Sequence, residues 1–114
     1  MPSRTPAQRL SDILENIRNV RHFTSGMTYQ DFCTDIKTCY AVARAFEIIS
    51  EASRRLPEDL KARRPDIDWP GLAALGNVYR HQYDLVIEEI MWHSLQHELE
   101  PLDRVAMLEL RTLR

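Results

Sequence analysis

Leu10, Ile13, Leu14, Ile17 and Val20 recur at steps of three and four residues, so the stretch from Pro6 to Phe23 reads as a helix with one apolar face. Thr24-Ser25-Gly26 ends it, with Gly26 suited to the left-handed conformation that follows a helix. Thr28, three residues before Asp31, has the spacing of an N-cap pair and starts a second, longer helix from about Tyr29 to Leu56. On that helix Phe32, Ile36, Cys39, Ala43 and Phe46 line one face, while Tyr40, Ile48, Ile49 and Ala52 widen the apolar surface. A helix with two apolar sides packs inside a bundle or contributes a second interface. Pro57 opens a short turn that runs to Arg64 and is closed by Pro65. Asp68 caps a third helix, with Pro70 in its first turn and Leu72, Leu75 and Tyr79 facing inward. Asp84 interrupts the pattern. A further helix then carries Ile87, Ile90, Met91, Leu95 and Leu99, and Pro101 begins a last segment with Leu102, Val105, Leu108 and Leu113 at helical spacing. The pattern predicts an all-α antiparallel four-helix bundle with a C-terminal helical extension, one domain over residues 1–114.

Composition narrows the picture. With 44% hydrophobic and 28% charged residues the chain is that of a globular protein. It has no apolar run of membrane-spanning length and no apolar signal-peptide core at its start, which points to the cytoplasm. A net charge of −2 argues against broad, charge-driven nucleic-acid binding. It leaves room for a local basic cluster, and Arg54, Arg55 and Lys61-Ala62-Arg63-Arg64 form one that could guide RNA. Cys33 and Cys39 are read as buried free thiols. His93 and His97, with Glu89 a turn earlier, have metal-binding spacing, but without a protease-type pattern they read as a solvated polar face, and no metal or cofactor is expected. Asp35, Arg44, Glu47 and Glu51 either support the site or, the favoured reading, form a buried polar network in a dimer, and Trp69 and Trp92 are read as packing anchors.

The densest polar stretch is Gly76-Asn77-Val78-Tyr79-Arg80-His81-Gln82-Tyr83. Together with Arg9-Leu10, Asp12-Ile13-Leu14, Phe23-Thr24-Ser25-Gly26, Arg44-Ala45-Phe46-Glu47-Ile48-Ile49-Ser50-Glu51-Ala52, Leu56-Pro57, Pro65-Asp66-Ile67, Trp69 and Trp92 it resembles the HepT-like proteins of the HEPN superfamily. The resemblance covers roughly residues 9 to 102. It implies a helical homodimer that serves as the toxin of a two-gene toxin–antitoxin module and cleaves RNA without metal. The family signature is an Arg, four to six intervening residues, a His, one residue and a Tyr. A minimal nucleotidyltransferase antitoxin transfers AMP to that Tyr. Carried over, His81 matches the signature His, Tyr83 the modified Tyr and Asn77 the polar residue after the Arg, whereas Gly76 stands where the Arg belongs. Ser50 stands where the family often has Gly, a small residue that lets helices approach.

Metal-free RNA cleavage needs a group to move a proton of the 2′-hydroxyl or of the leaving oxygen, and a cation to stabilise the phosphorane. His81 suits the first role and an arginine the second. On a helix, position 80 lies about 40° from position 76 and one turn further on, and helical side chains lean toward the N-terminus. Arg80 is therefore expected to lean into the room left by Gly76 and supply the missing charge, with Asn77 orienting the imidazole from one turn back. Otherwise Arg80 pairs with Asp84, and the chain is a catalytically inactive HEPN module that partners a nucleotidyltransferase or binds RNA, or a purely structural helical dimer. Tyr83 reaches the same cleft only if the helix ends near Gln82.

Overall fold

The computed structural model describes residues 4–81 and 86–113, with residues 77–81 and 86 described by their backbone alone. The described residues form seven helices and no strand, which makes the chain all-α as its pattern predicts. Helix α1 (Pro6–Phe23) begins with a reciprocal cap, in which the Gln8 amide donates to Thr5 Oγ1 and the Gln8 side chain accepts from the Thr5 amide. Its five expected apolar residues are all buried. Gly26 adopts φ 76°, the left-handed conformation expected after the helix.

The long second helix is in fact two, α2 (Tyr29–Thr34) and α3 (Ile36–Arg54). Asp35 sits between them at φ −104° and ψ 88°, and its carboxylate accepts the Thr38 amide at 3.0 Å. That bond caps α3 and holds the Asp35 carboxyl below its usual range. The break changes the phase of the apolar stripe. Phe32, Cys39, Val42, Phe46 and Ile49 are buried, whereas Ile36 and Tyr40, expected on or beside that stripe, are exposed.

The turn from Pro57 contains a one-turn helix, α4 (Glu58–Ala62), which buries Leu60. Helix α5 (Trp69–His81) starts as expected, with Asp68 accepting the Gly71 amide at 3.1 Å. The Trp69 indole N–H reaches the carbonyls of both Lys61 and Arg64 and ties the start of α5 to the end of α4. Helix α6 (Val86–His97) is followed by α7 (Leu99–Thr112), which begins two residues before Pro101 rather than at it. Leu102, Val105, Ala106 and Leu110 carry the buried face of α7. Leu108 and Leu113, expected to share that face, are exposed.

Helices α1 and α3 run antiparallel, since Arg4, Pro6 and Arg9 line one cleft with Arg54, Arg55 and Pro57. At the other end of α1, Arg21 pairs with Glu100 and Asp103 and so meets the start of α7. Within the single chain, the polar residues of α3 pair locally. Arg44 pairs with Glu47 at the surface, and Glu51 is shared by Arg54 and Arg55.

One polar residue of α7 is held inside. Glu109 is only 3% exposed and accepts Arg63 at 2.7 Å and Arg64 at 2.8 Å, clasping the connector between α4 and α5 to α7. The two guanidinium bonds hold its carboxyl below the usual range against the opposing effect of burial. A depressed carboxylate stabilises the fold above its unfolded-state value and loses that contribution as pH falls through the folded-state value. Glu109→Ala is expected to lower the unfolding free energy by about 1–2 kcal/mol at neutral pH, read from urea midpoints. The gap between wild type and variant should close as the pH is taken below about 4.5, the group's ordinary value.

Candidate functional site

The second half of α5 carries the candidate residues, and its position is set by a contact one turn earlier. Ser50 of α3 points its hydroxyl into α5, donating to the Ala73 carbonyl at 3.0 Å and accepting the Gly76 amide at 3.2 Å. Both Ser50 and Gly76 are buried. A β-carbon placed on Gly76 would lie 2.9 Å from Ser50 Oγ and 3.4 Å from its Cβ. The absence of a side chain at 76 is therefore what lets the two helices approach so closely, and the small residue at 50 contributes as expected.

The Ser50 hydroxyl stands beside Gly76, where the Arg80 guanidinium was expected to have room, and the Arg80 side chain itself lies outside the described residues. A side chain at 76 would point at α3 and would have to displace the Ser50 hydroxyl. Position 76 is a packing position in this chain.

The backbones of Asn77, Arg80 and His81 lie in the last turns of α5. Measured round the helix from Gly76, position 80 falls about 40° away, position 77 about 100° and position 81 about 140°. Positions 77 and 81 thus share a flank turned away from Ser50, and position 80 lies nearer the α3 side. Tyr83, and with it the expected end of the helix near Gln82 and the pairing with Asp84, falls outside the described residues.

The elements around this segment are braced from two sides. Trp92 of α6 packs its ring against Tyr29 and Phe32 of α2 at centroid distances of 5.9 and 5.4 Å, acting with Trp69 as the packing anchor expected of it. Cys39 is buried and hydrogen-bonds the Phe32 carbonyl at 3.0 Å, while Cys33 is half-buried. Burial pushes the Cys39 thiol up to about 11, so it stays protonated and is a poor nucleophile. A hydrogen bond with Cys33 raises the Tyr29 phenol to about 12. Sequence reasoning missed Glu88, whose Oε2 is buried without a hydrogen-bond partner among the described residues. Its effect on Cys39 and Tyr29 places it at the α2–α3–α6 junction.

His93 and His97 are exposed, with ring centroids 4.6 Å apart. They line different clefts, His93 with Glu89, Leu75 and Glu98, and His97 with Asp66, Asp68 and Glu98. No group of three or more potential metal ligands comes together among the described residues. No helix among them is long and apolar enough to cross a membrane. The basic cluster read from the sequence divides in two. Arg63 and Arg64 are engaged by Glu109, whereas Arg54 and Arg55 turn toward Arg4 and Arg9.

The sequence model of a family described as Ribonuclease HepT-like matches residues 13–108. A Methanocaldococcus jannaschii protein named "Putative RNase MJ0127" is 40% identical over 92 residues, which cover 81% of this chain and 76% of that one. "Probable ribonuclease HepT" of Thermococcus cleftensis is 37% identical, covering 82% of this chain and 84% of its own. A second M. jannaschii protein, "Putative RNase MJ1216", is 32% identical over 91% of this chain and 86% of its own. No solved structure matches the chain at a significant level.

The Ser50–Gly76 contact is directly testable. Gly76→Ala is expected to destabilise the protein by about 1–3 kcal/mol through overpacking, measured by chemical denaturation. Adding Ser50→Ala removes the one clashing atom, so the double variant should recover part of that loss, a coupling that a double-mutant cycle reads.

Proposed function

Because the chain belongs to the HepT-like ribonuclease family, we propose that it is the toxin of a toxin–antitoxin pair, a metal-independent RNA endonuclease silenced when a nucleotidyltransferase transfers AMP to Tyr83. The observation that carries the reading is the register of α5. With Gly76 turned onto Ser50, positions 77 and 81 share the flank directed away from α3. His81 takes the proton of a 2′-hydroxyl as that oxygen attacks the adjacent phosphorus, or returns a proton to the 5′-oxygen as the P–O bond breaks. Arg80 stabilises the extra charge on the phosphorane, reaching it from beside the α3 face rather than over Gly76. Asn77, one turn before His81, orients the imidazole. Two such sets meet across the axis of a homodimer.

Regulation follows from charge. The Tyr83 phenol oxygen attacks the α-phosphate of a bound nucleoside triphosphate, and pyrophosphate leaves. The phosphate that stays attached brings negative charge and bulk to the path of the RNA.

One observation favours a second reading. Gly76 brings no cation and faces Ser50, so if Arg80 does not serve, the chain is an inactive HEPN module that binds its nucleotidyltransferase partner.

Expression of the chain alone and with that partner separates the two. A toxin arrests growth and degrades RNA when expressed alone, and His81→Ala lowers cleavage by about a hundredfold or more. Arg80→Ala should cause a loss of about the same order. If Arg80→Ala leaves cleavage intact while His81→Ala abolishes it, the assignment of Arg80 fails. If neither growth nor RNA responds to the chain, the inactive module is the correct reading. Co-expression should add the mass of an adenylyl group to Tyr83 and relieve the arrest, and an unmodified Tyr83 overturns that regulation.

A further inference from the structure

Arg54 and Arg55, read from the sequence as part of a basic cluster, meet two arginines from the other end of the chain. Arg4 and Arg9 at the start of α1 and Arg54 and Arg55 at the end of α3 line an open cleft of about 500 Å³, with Pro6 and Pro57 as its apolar walls. No acidic residue lines it. Two carboxylates stand nearby. Asp12 accepts Arg4 through two bonds of 2.7 Å, and Glu51 divides its oxygens between Arg54 and Arg55 at 2.5 Å each. Arg9 has no ion-pair partner among the described residues. Four guanidiniums against two carboxylates leave a local excess of positive charge on a chain whose net charge is −2. A guanidinium has five N–H donors, and Arg54 and Arg55 each use one on Glu51, so both keep donors for a further anion. The other arginine cluster of the sequence differs, since Arg63 and Arg64 close on the buried Glu109.

We propose that this cleft binds the phosphate backbone of RNA away from the bond that is cut. The inference rests on the ribonuclease reading and extends it to how the substrate is held. Arg54 lies one turn beyond Ser50 along α3, and His81 lies five residues beyond Gly76 in the opposite direction along α5. At 1.5 Å per residue, cleft and candidate site are separated by about 13 Å along the bundle axis. A free phosphate or a single nucleotide is too short to engage both, whereas an RNA strand presents phosphates at each step. The proline walls and planar guanidiniums suit a sugar–phosphate chain, and without base-reading groups the contact is independent of sequence.

The test uses the full chain carrying His81→Ala, so that RNA stays intact, and a labelled single-stranded oligoribonucleotide long enough to span both regions. Binding is followed by fluorescence anisotropy across a salt series. Arg9→Ala and Arg55→Ala should each weaken binding about threefold to tenfold, and each should flatten the dependence of log K on log salt by about 0.7. Arg55→Lys should keep most of the slope because it keeps the charge, and unchanged melting temperatures identify folded variants. Arg104→Ala removes the same charge from α7, outside the cleft, and should leave affinity and slope unchanged. If Arg104→Ala weakens binding as much as the cleft variants do, or if the cleft variants bind like the parent, the inference is overturned. It is also overturned if the cleft variants keep RNA affinity but lose a co-expressed nucleotidyltransferase, which would make the cleft a protein-docking surface. The ribonuclease reading fails separately, when the chain with His81 intact cuts no RNA. A binding loss in the cleft variants would then still identify an RNA-binding cleft.

Discussion

The distance between α3 and α5 is set where a serine hydroxyl meets a helix with no side chain to keep it away. Ser50 inserts between the Ala73 carbonyl and the Gly76 amide, and each bond is satisfied only because the backbones are close. Everything that matters chemically on α5 follows from that register. It turns Gly76 toward α3, and by helix geometry positions 77 and 81 fall about 100° and 140° round from it and position 80 about 40°. The family resemblance implies an arginine where this chain has a glycine in contact with Ser50. One position cannot serve as both cation and packing gap, so the cationic role, if it is kept, has to move to another residue.

Charge is distributed by the same economy. Two chain crossings on α7 are fastened by ion pairs. Arg21 joins α1 to the start of α7, and Glu109 joins the α4–α5 connector to its later turns. Where α1 begins and α3 ends, arginines outnumber their carboxylates. An acidic protein can thus carry a basic surface without a basic composition, because the excess is local.

The elements that local chemistry specifies were legible in the sequence. Thr28 with Asp31, the periodic apolar face of α1, the left-handed Gly26 and the Asp68 cap each act within a few residues, and the structure shows all four. The division at Asp35 was not legible, because a capping aspartate inside a continuing apolar pattern looks the same as a solvent-facing one. Nor was the Glu109 clasp, whose partners lie 45 and 46 residues away. The arginine cleft depends on α1 and α3 running in opposite directions, so the first and third helices had to be placed before Arg9 and Arg55 could be seen as neighbours. At the candidate site the residue types were readable and the helix register was not. Gly76 looked like a vacancy until Ser50 was found beside it.

The break at Asp35 has a geometrical consequence for the whole molecule. An unbroken helix from Tyr29 onward would be a straight rod with Phe32 and Tyr29 in line with α3. By turning the chain with one carboxylate, the protein converts the first turn and a half of that rod into a bracket, whose aromatic rings grip Trp92 on α6. The helix that follows the candidate segment is thereby clamped to the element that precedes α3.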